Sequence, residues 1–251
     1  MDTITEELTE RIQIFAVGVQ APDSVVAQYQ LVLTPEEVAR AARFRFRHLQ
    51  RSFIIARGVL RILIGRYLHT TPQHVELCYG AKGKPRLAVP ARIQFNVSHS
   101  NDLALFAFAL DREIGIDVEH IRPLSDMQEI ASRFFCADET AELMGLPPDQ
   151  HEQAFYRCWT RKEAYIKAIG DGLSVPLDNF RVTLRQHDPV RFVHLAHDTV
   201  AAEGWTLLDL RPAPQYAAAL AYRGALLPIG LLPPVTPAEL LHGKFPSNWI
   251  A

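Results

Sequence analysis

Apolar residues along this chain fall mostly in short runs separated by polar turns. Ile12 to Val17 predicts a strand. Ile93 to Val97, Leu103 to Leu110 and Ile114 to Val118 predict three more, broken by Ser98-His99-Ser100-Asn101-Asp102 and by Asp111-Arg112, a punctuation that favours antiparallel pairing. Between these regions the period changes to that of a helix. Phe44, Phe46, Phe53, Ile54, Val59, Leu60, Leu63, Ile64 and Tyr67 recur near helical spacing, and the helical region runs to about Leu68. It starts at Thr34-Pro35-Glu36-Glu37, where a capping hydroxyl, a proline at the first helical position and two acids coincide. Val75 to Tyr79 predicts a short strand, and the glycines and proline of Gly80 to Pro85 predict a loop.

In the second part of the chain, helices are predicted over Ser125 to Phe135, Ala137 to Met144 and about Gln150 to Ile169, the last ended by Gly170. Strands follow at Phe180 to Leu184, Trp205 to Leu210 and Tyr216 to Tyr222, and the Pro-rich tail after Leu227 is expected to be irregular. Strand, helices, strands, then helices and strands again is an α+β pattern with two comparable halves. The division is placed at residues 1–112, carrying basic helices, and 113–251, carrying most of the acids.

Composition narrows the class. With 48% hydrophobic residues in 251, the chain is neither disordered nor a coiled coil. Its longest apolar run, Leu103 to Leu110, falls far short of the roughly 20 residues a membrane helix needs. The acidic N-terminus lacks a basic segment followed by an apolar one, so no secretory signal and a cytoplasmic location are expected. Cys78, Cys136 and Cys158 are odd in number and far apart, which suits reduced thiols; Cys158 lies in an apolar helical pattern and reads as packing.

The net charge of −2 hides a segregation. Residues 1–100 hold 13 Lys/Arg against 8 Asp/Glu, and residues 101–251 hold 13 against 20. Arg40, Arg43, Arg45, Arg47, Arg51, Arg57, Arg61 and Arg66 follow one another with no carboxylate between them. Either an anionic partner or an ordinary basic helix face accounts for this run.

Candidate chemistry lies in four places. Asp117 and Glu119 are two apart on a predicted strand, so both carboxylates project from one face while Ile116 and Val118 face a core. Hard oxygen ligands of this kind suit Mg²⁺. Trp159, Glu163 and Lys167 form one stripe of the long helix, where Glu163 could be a third ligand or a general base and Lys167 a charge partner for phosphate. A plain surface ion pair is the alternative there. Ser98 and His99 lie at a strand end and could contact a phosphate; a triad with Asp102 is not expected of residues so close in sequence. Lys84 sits in a glycine-containing loop that is not a Walker A motif, because Pro85 follows it, yet it could donate to phosphate as a point charge. His187, His194 and His197 form a loose cluster that lacks the spacing of a zinc site.

Four segments together resemble one family: Gly83-Lys84-Pro85, Phe95-Asn96-Val97-Ser98-His99-Ser100, Gly115-Ile116-Asp117-Val118-Glu119, and Trp159 to Leu173. The chain resembles the 4′-phosphopantetheinyl transferases of the surfactin-synthetase-activating type over roughly residues 30–225. The resemblance implies a monomer of two pseudo-symmetric α+β halves that binds coenzyme A and Mg²⁺ in the cleft between them. It implies transfer of the 4′-phosphopantetheine arm to a serine of an apo acyl or peptidyl carrier protein, with release of adenosine 3′,5′-bisphosphate. By the same resemblance Asp117, Glu119 and Glu163 would hold Mg²⁺. Lys84, Ser98, His99 and Lys167 would contact the phosphates of coenzyme A. Arg40 would meet the nucleotide end, with Arg47 and Arg51 as further candidates, and Glu37 stands where some relatives carry a lysine. Glu163 is assigned as base, with Lys167 and His99 stabilising charge on the departing oxygen. Two other readings are a non-catalytic homologue that binds coenzyme A or a carrier, and a nucleic-acid binder using the arginine-rich helices. Against the last stand the near-neutral charge and the paired acids, and neither nucleic acid nor membrane is expected as a partner.

Overall fold

The computed structural model describes residues 8–170, 175–196 and 198–243. Strand β1 (Ile12–Gly18) lies inside a four-stranded sheet with β4 (Ile93–Ser100), β5 (Leu103–Leu110) and β11 (Ile229–Val235), in the order β11-β1-β5-β4. A second sheet joins β6 (Ile114–His120), β9 (Trp205–Leu210) and β10 (Tyr216–Arg223) in the order β6-β10-β9. Two small ribbons complete the strands: β2 (Leu77–Tyr79) with β3 (Pro85–Leu87), and β7 (Phe180–Val182) with β8 (Phe192–Leu195).

The period-2 alternation of the strands builds a layered body. From β1 and β5, Phe15, Val17, Phe106 and Phe108 enter a core shared with helix α3 (Arg47–Tyr67), through Ile55, Val59, Leu63 and Ile64. The alternate residues Ile14, Ala16, Leu105 and Ala107 face the second sheet, where they meet Ile116, Val118 and Leu220. Both faces of β5 are therefore buried, which is why its run is apolar without interruption. Beyond the second sheet lies helix α6 (His151–Ile169), packed with α4 (Met127–Phe134) and α5 (Ala137–Met144) around Ala154, Phe155, Cys158, Ala164 and Ile166. All three cysteines are free, and the burial of Cys158 fits a packing role. No helix among the described residues is long and apolar enough to cross a membrane.

Several expectations are corrected. Within the described part of the tail after Leu227, residues 229–235 form β11, which pairs in parallel with β1, and its Pro233 and Pro234 are tolerated because it is the edge of the sheet. Helix α8 (Pro237–Leu241) follows behind a Thr236 capping box, and the Tyr29 hydroxyl donates to Pro237 O at 2.8 Å. The segment 113–251 thus does not pack as one half, since residues 229–241 return to the first sheet. The helical region before Leu68 is two helices, α2 (Pro35–Ala42) and α3, separated at residues 43–46. Helix α1 (Asp23–Gln30), β3, β8 and the short α7 (Thr199–Glu203) carry no strong periodic signal of their own and are additions to the sequence pattern; the strand expected over Phe180 to Leu184 ends at Val182. Gly170 closes α6 in the left-handed region, as its place after the helical pattern predicts. The end of the fourth motif, residues 171–173, lies outside the described residues.

Candidate active site

Strands β4 and β6 belong to different sheets, and side chains stitch them together. Asn96 Oδ1 accepts from the Ile116 N–H at 2.9 Å, Ser98 Oγ from the Val118 N–H at 3.3 Å and Ser100 Oγ from the His120 N–H at 3.1 Å. The spacing of two places all three on one side of β4. A hydroxyl both accepts and donates, and each serine uses the second capacity on an acid. Ser98 donates to Asp117 Oδ1 at 2.9 Å, and Ser100 donates to Glu119 Oε2 at 2.7 Å.

Helix α6 supplies the other side. Lys167 Nζ lies 2.5 Å from Asp117 Oδ1 and donates to Ser98 Oγ at 2.9 Å. The helix can approach so closely because Gly115 has no side chain. A Cβ there would stand 2.0 Å from Ala164 O and 2.3 Å from Ala168 N. The Ser98 hydroxyl is buried, and here it is bonded to Asp117, Lys167 and the Val118 amide. Asn96 and Ser100 are not singled out as site residues from the sequence, although their alternation with Ser98 puts them on the same side of β4, where they bond to β6.

Three carboxylates share one ammonium group. Asp117 is 2% exposed, and burial raises its pKa against the pull of Lys167 and Ser98. Its Oδ2 is buried with no hydrogen-bond partner among the described residues. Burial and then the Asp117 charge raise Glu119. Glu163 is pushed up to about 7 by burial and by the negative charge of Asp117 and Glu119, which Lys167 only partly offsets. His99 lies on the opposite side of β4 from Ser98, and partial burial followed by the Lys167 charge holds its imidazole below the usual range.

This set calls for positive charge, and an unpartnered buried carboxylate oxygen is a hard donor suited to a cation. Among the described residues no three His, Cys, Asp or Glu side chains are gathered closely enough to enclose an ion by themselves. Such chemistry suits Mg²⁺, which keeps several waters and takes further oxygens from a phosphate, better than an ion that needs a closed protein cage. Of the histidine cluster, His194 lies on β8 and His187 in the preceding connection, and neither belongs to a metal-holding group among the described residues; His197 lies outside them.

The expected phosphate contacts divide. Arg40 lines a cavity of about 1040 Å³ together with Glu37, Arg43, Arg61 and Tyr79, and its guanidinium stands 5.9 Å from the Tyr79 ring. Arg47 and Arg51 are turned away to Asp23 at the start of α1, Arg47 at 2.9 Å, and neither lines that cavity. Lys84 Nζ is also committed, donating to Ile114 O at 3.0 Å and Ala168 O at 2.9 Å. Glu37 is the buried counterion of Arg61, accepting from its Nε at 2.6 Å, and it also accepts from the Thr34 N–H in the capping box. On the other side of the acids, Glu119 and Ser100 open onto a smaller groove of about 380 Å³ walled by Phe155, Tyr156 and Trp159.

Two family models match the chain in succession: "4'-phosphopantetheinyl transferase, N-terminal" over residues 22–110 and "4'-phosphopantetheinyl transferase superfamily" over residues 113–221. The 4'-phosphopantetheinyl transferase HetI of Nostoc sp. is 37% identical over 220 residues, covering 86% of this chain and 90% of the relative. The 4'-phosphopantetheinyl transferase Sfp of Bacillus subtilis is 32% identical over 163 residues, 65% of this chain and 71% of its own. AcpT of Salmonella typhimurium, another 4'-phosphopantetheinyl transferase, is 35% identical over 151 residues, 60% and 67% of the two chains. The acid-bearing β6 and α6 fall within the superfamily match and the stitching strand β4 within the N-terminal one, so the residues that meet at this site come from both. The chain belongs to the 4′-phosphopantetheinyl transferase superfamily.

Proposed function

We propose that this chain transfers the 4′-phosphopantetheine arm of coenzyme A to a serine of an apo acyl or peptidyl carrier protein, releasing adenosine 3′,5′-bisphosphate. Within the superfamily we place it with the surfactin-synthetase-activating type, working as a cytoplasmic monomer. The observation that carries the reading is the meeting of Asp117, Glu119, Glu163 and Lys167 from two elements, with an uncompensated carboxylate oxygen at its centre. An anionic substrate enters such a site together with a cation. Asp117 and Glu119, with Glu163 beside them, would hold Mg²⁺, and the chemistry it would supply is charge neutralisation at a pyrophosphate.

The chain's own groups do the rest. Phosphoryl transfer asks the protein for positioning and charge more than for covalent chemistry. Arg40 in its cavity binds the nucleotide end. Lys167, fixed by Asp117 and Ser98, sets a positive charge against the oxygen that leaves, and His99 stands within its field. Glu163 takes the proton from the incoming serine hydroxyl. A carboxylate lifted to about 7 suits that task near neutral pH, because it is a stronger base than an exposed glutamate yet still substantially ionised.

The test is incubation of the purified chain with Mg²⁺, coenzyme A and a panel of apo carriers from fatty-acid, polyketide and nonribosomal peptide systems. A phosphopantetheine mass gain is expected on at least one carrier, and initial rates across the panel rank them. No gain on any carrier would remove the reading.

A further inference from the structure

Lys84 stands one residue before β3, directly after the turn closed by the Gly83 N–H to Gly80 O bond at 2.8 Å. Its ammonium is held between two backbone carbonyls that belong to the two elements of the active site. Ile114 O opens β6, three residues before Asp117, and Ala168 O lies next to Lys167 in the last turn of α6. The carbonyls of a last helical turn lack partners within the helix, and a cation there also meets the negative end of the helix dipole. The two anchor points lie at the level of Gly115, where β6 and α6 touch backbone to backbone. Gly115 lets the elements approach, and Lys84 joins them at that point.

We infer that Lys84 is a positioning residue: it fixes the register of β6 against α6, and so the placement of Lys167 and Glu163 against Asp117, rather than binding a phosphate of the substrate. Two of its three donors are spent on carbonyls, and a third that turned to a phosphate would pull the ammonium off the line between them. A sliding of α6 along β6 moves both Lys167 and Glu163 relative to Asp117, whereas the Arg40 cavity, built from α2 and the β2–β3 region, keeps its own contacts. Losing the clamp therefore damages the chemical step more than coenzyme A binding.

The inference rests on the proposed transferase activity, and the wild-type chain is the control for that. Lys84→Met keeps the unbranched apolar stem of the side chain and removes its donors. The expected result is a kcat lowered about tenfold or more, with KM and the calorimetric Kd for coenzyme A within about twofold of wild type. Lys84→Arg separates the two roles again. It keeps a charge for a phosphate, but its planar fork does not fit the point between the two carbonyls, so kcat is expected to stay low. If Lys84→Met does not fold, Lys84→Arg decides by the same comparison. A KM or Kd that rises by a larger factor than kcat falls, or recovery of wild-type kinetics in Lys84→Arg, overturns the inference, as does wild-type kcat in Lys84→Met. A wild-type chain without activity would instead remove the proposed function.

Discussion

Replacing Glu163 by glutamine should stabilise the fold at the pH where the acid would work. The carboxyl rises from 4.5 to about 7 in the folded chain, through burial and then the charges of Asp117 and Glu119. At 1.36 kcal/mol per pKa unit this is about 3 kcal/mol, or about 2 kcal/mol after allowing for solvent at a partly accessible group. Between pH 4.5 and 7 the folded chain keeps a proton that the unfolded chain has lost. Stability therefore falls as pH rises through that window and the loss is complete above it. An amide in place of the carboxylate carries no charge to desolvate. Without divalent cations, Glu163→Gln should match wild type near pH 4.5 and exceed it by about 2 kcal/mol at pH 8, a rise in Tm of about 4–8 °C for a chain of this size. Urea unfolding of both proteins in chelator at several pH values measures the difference, and titrating groups that do not interact with Glu163 cancel in the comparison. Parallel pH profiles for the two proteins would refute the idea that Glu163 is held against its own charge.

Asp117→Ala should lower carrier modification in the mass assay by about three orders of magnitude or more while urea unfolding stays cooperative; substantial activity would take Asp117 out of the mechanism. Glu37→Lys should cost about 3–5 kcal/mol in urea unfolding, because it sets a cation against the buried Arg61 and Arg57, which stands 3.7 Å from Glu37. Gly115→Ala should prevent normal folding or lower stability by more than about 4 kcal/mol by thermal unfolding, since its methyl would meet the backbone of α6 rather than a movable side chain. Arg40→Ala should raise the Kd for coenzyme A about tenfold by calorimetry while Arg47→Ala leaves it within about twofold, because Arg47 is paired with Asp23 outside the cavity.

Much of the architecture was legible because it follows from local periodicity. The alternation that buries Ile116 and Val118 also presents Asp117 and Glu119 on the other face, and the helical stripe puts Glu163 and Lys167 one turn apart. Strand β11 was hidden because a parallel edge strand ending in two prolines looks like a loop until its partner β1 is known. Among the basic residues, spacing could not separate Arg40 from Arg47 and Arg51, because the difference is made by Asp23 on another helix. For the same reason Glu37 looked like a departure from a binding pattern, although its function in the fold is to balance Arg61.

The sequence by itself determined which residue types could meet a phosphate and a cation, and on which faces of β6 and α6 they stand. Tertiary structure decided which of those groups are free to do so. Ser98 and Lys84 are polar enough for a phosphate, but the approach of β4, β6 and α6 commits them to Asp117 and to two backbone carbonyls. Local patterning is set by the repeat of the backbone, whereas partnership depends on which distant segments are brought within about 3 Å, the range at which hydrogen bonds form.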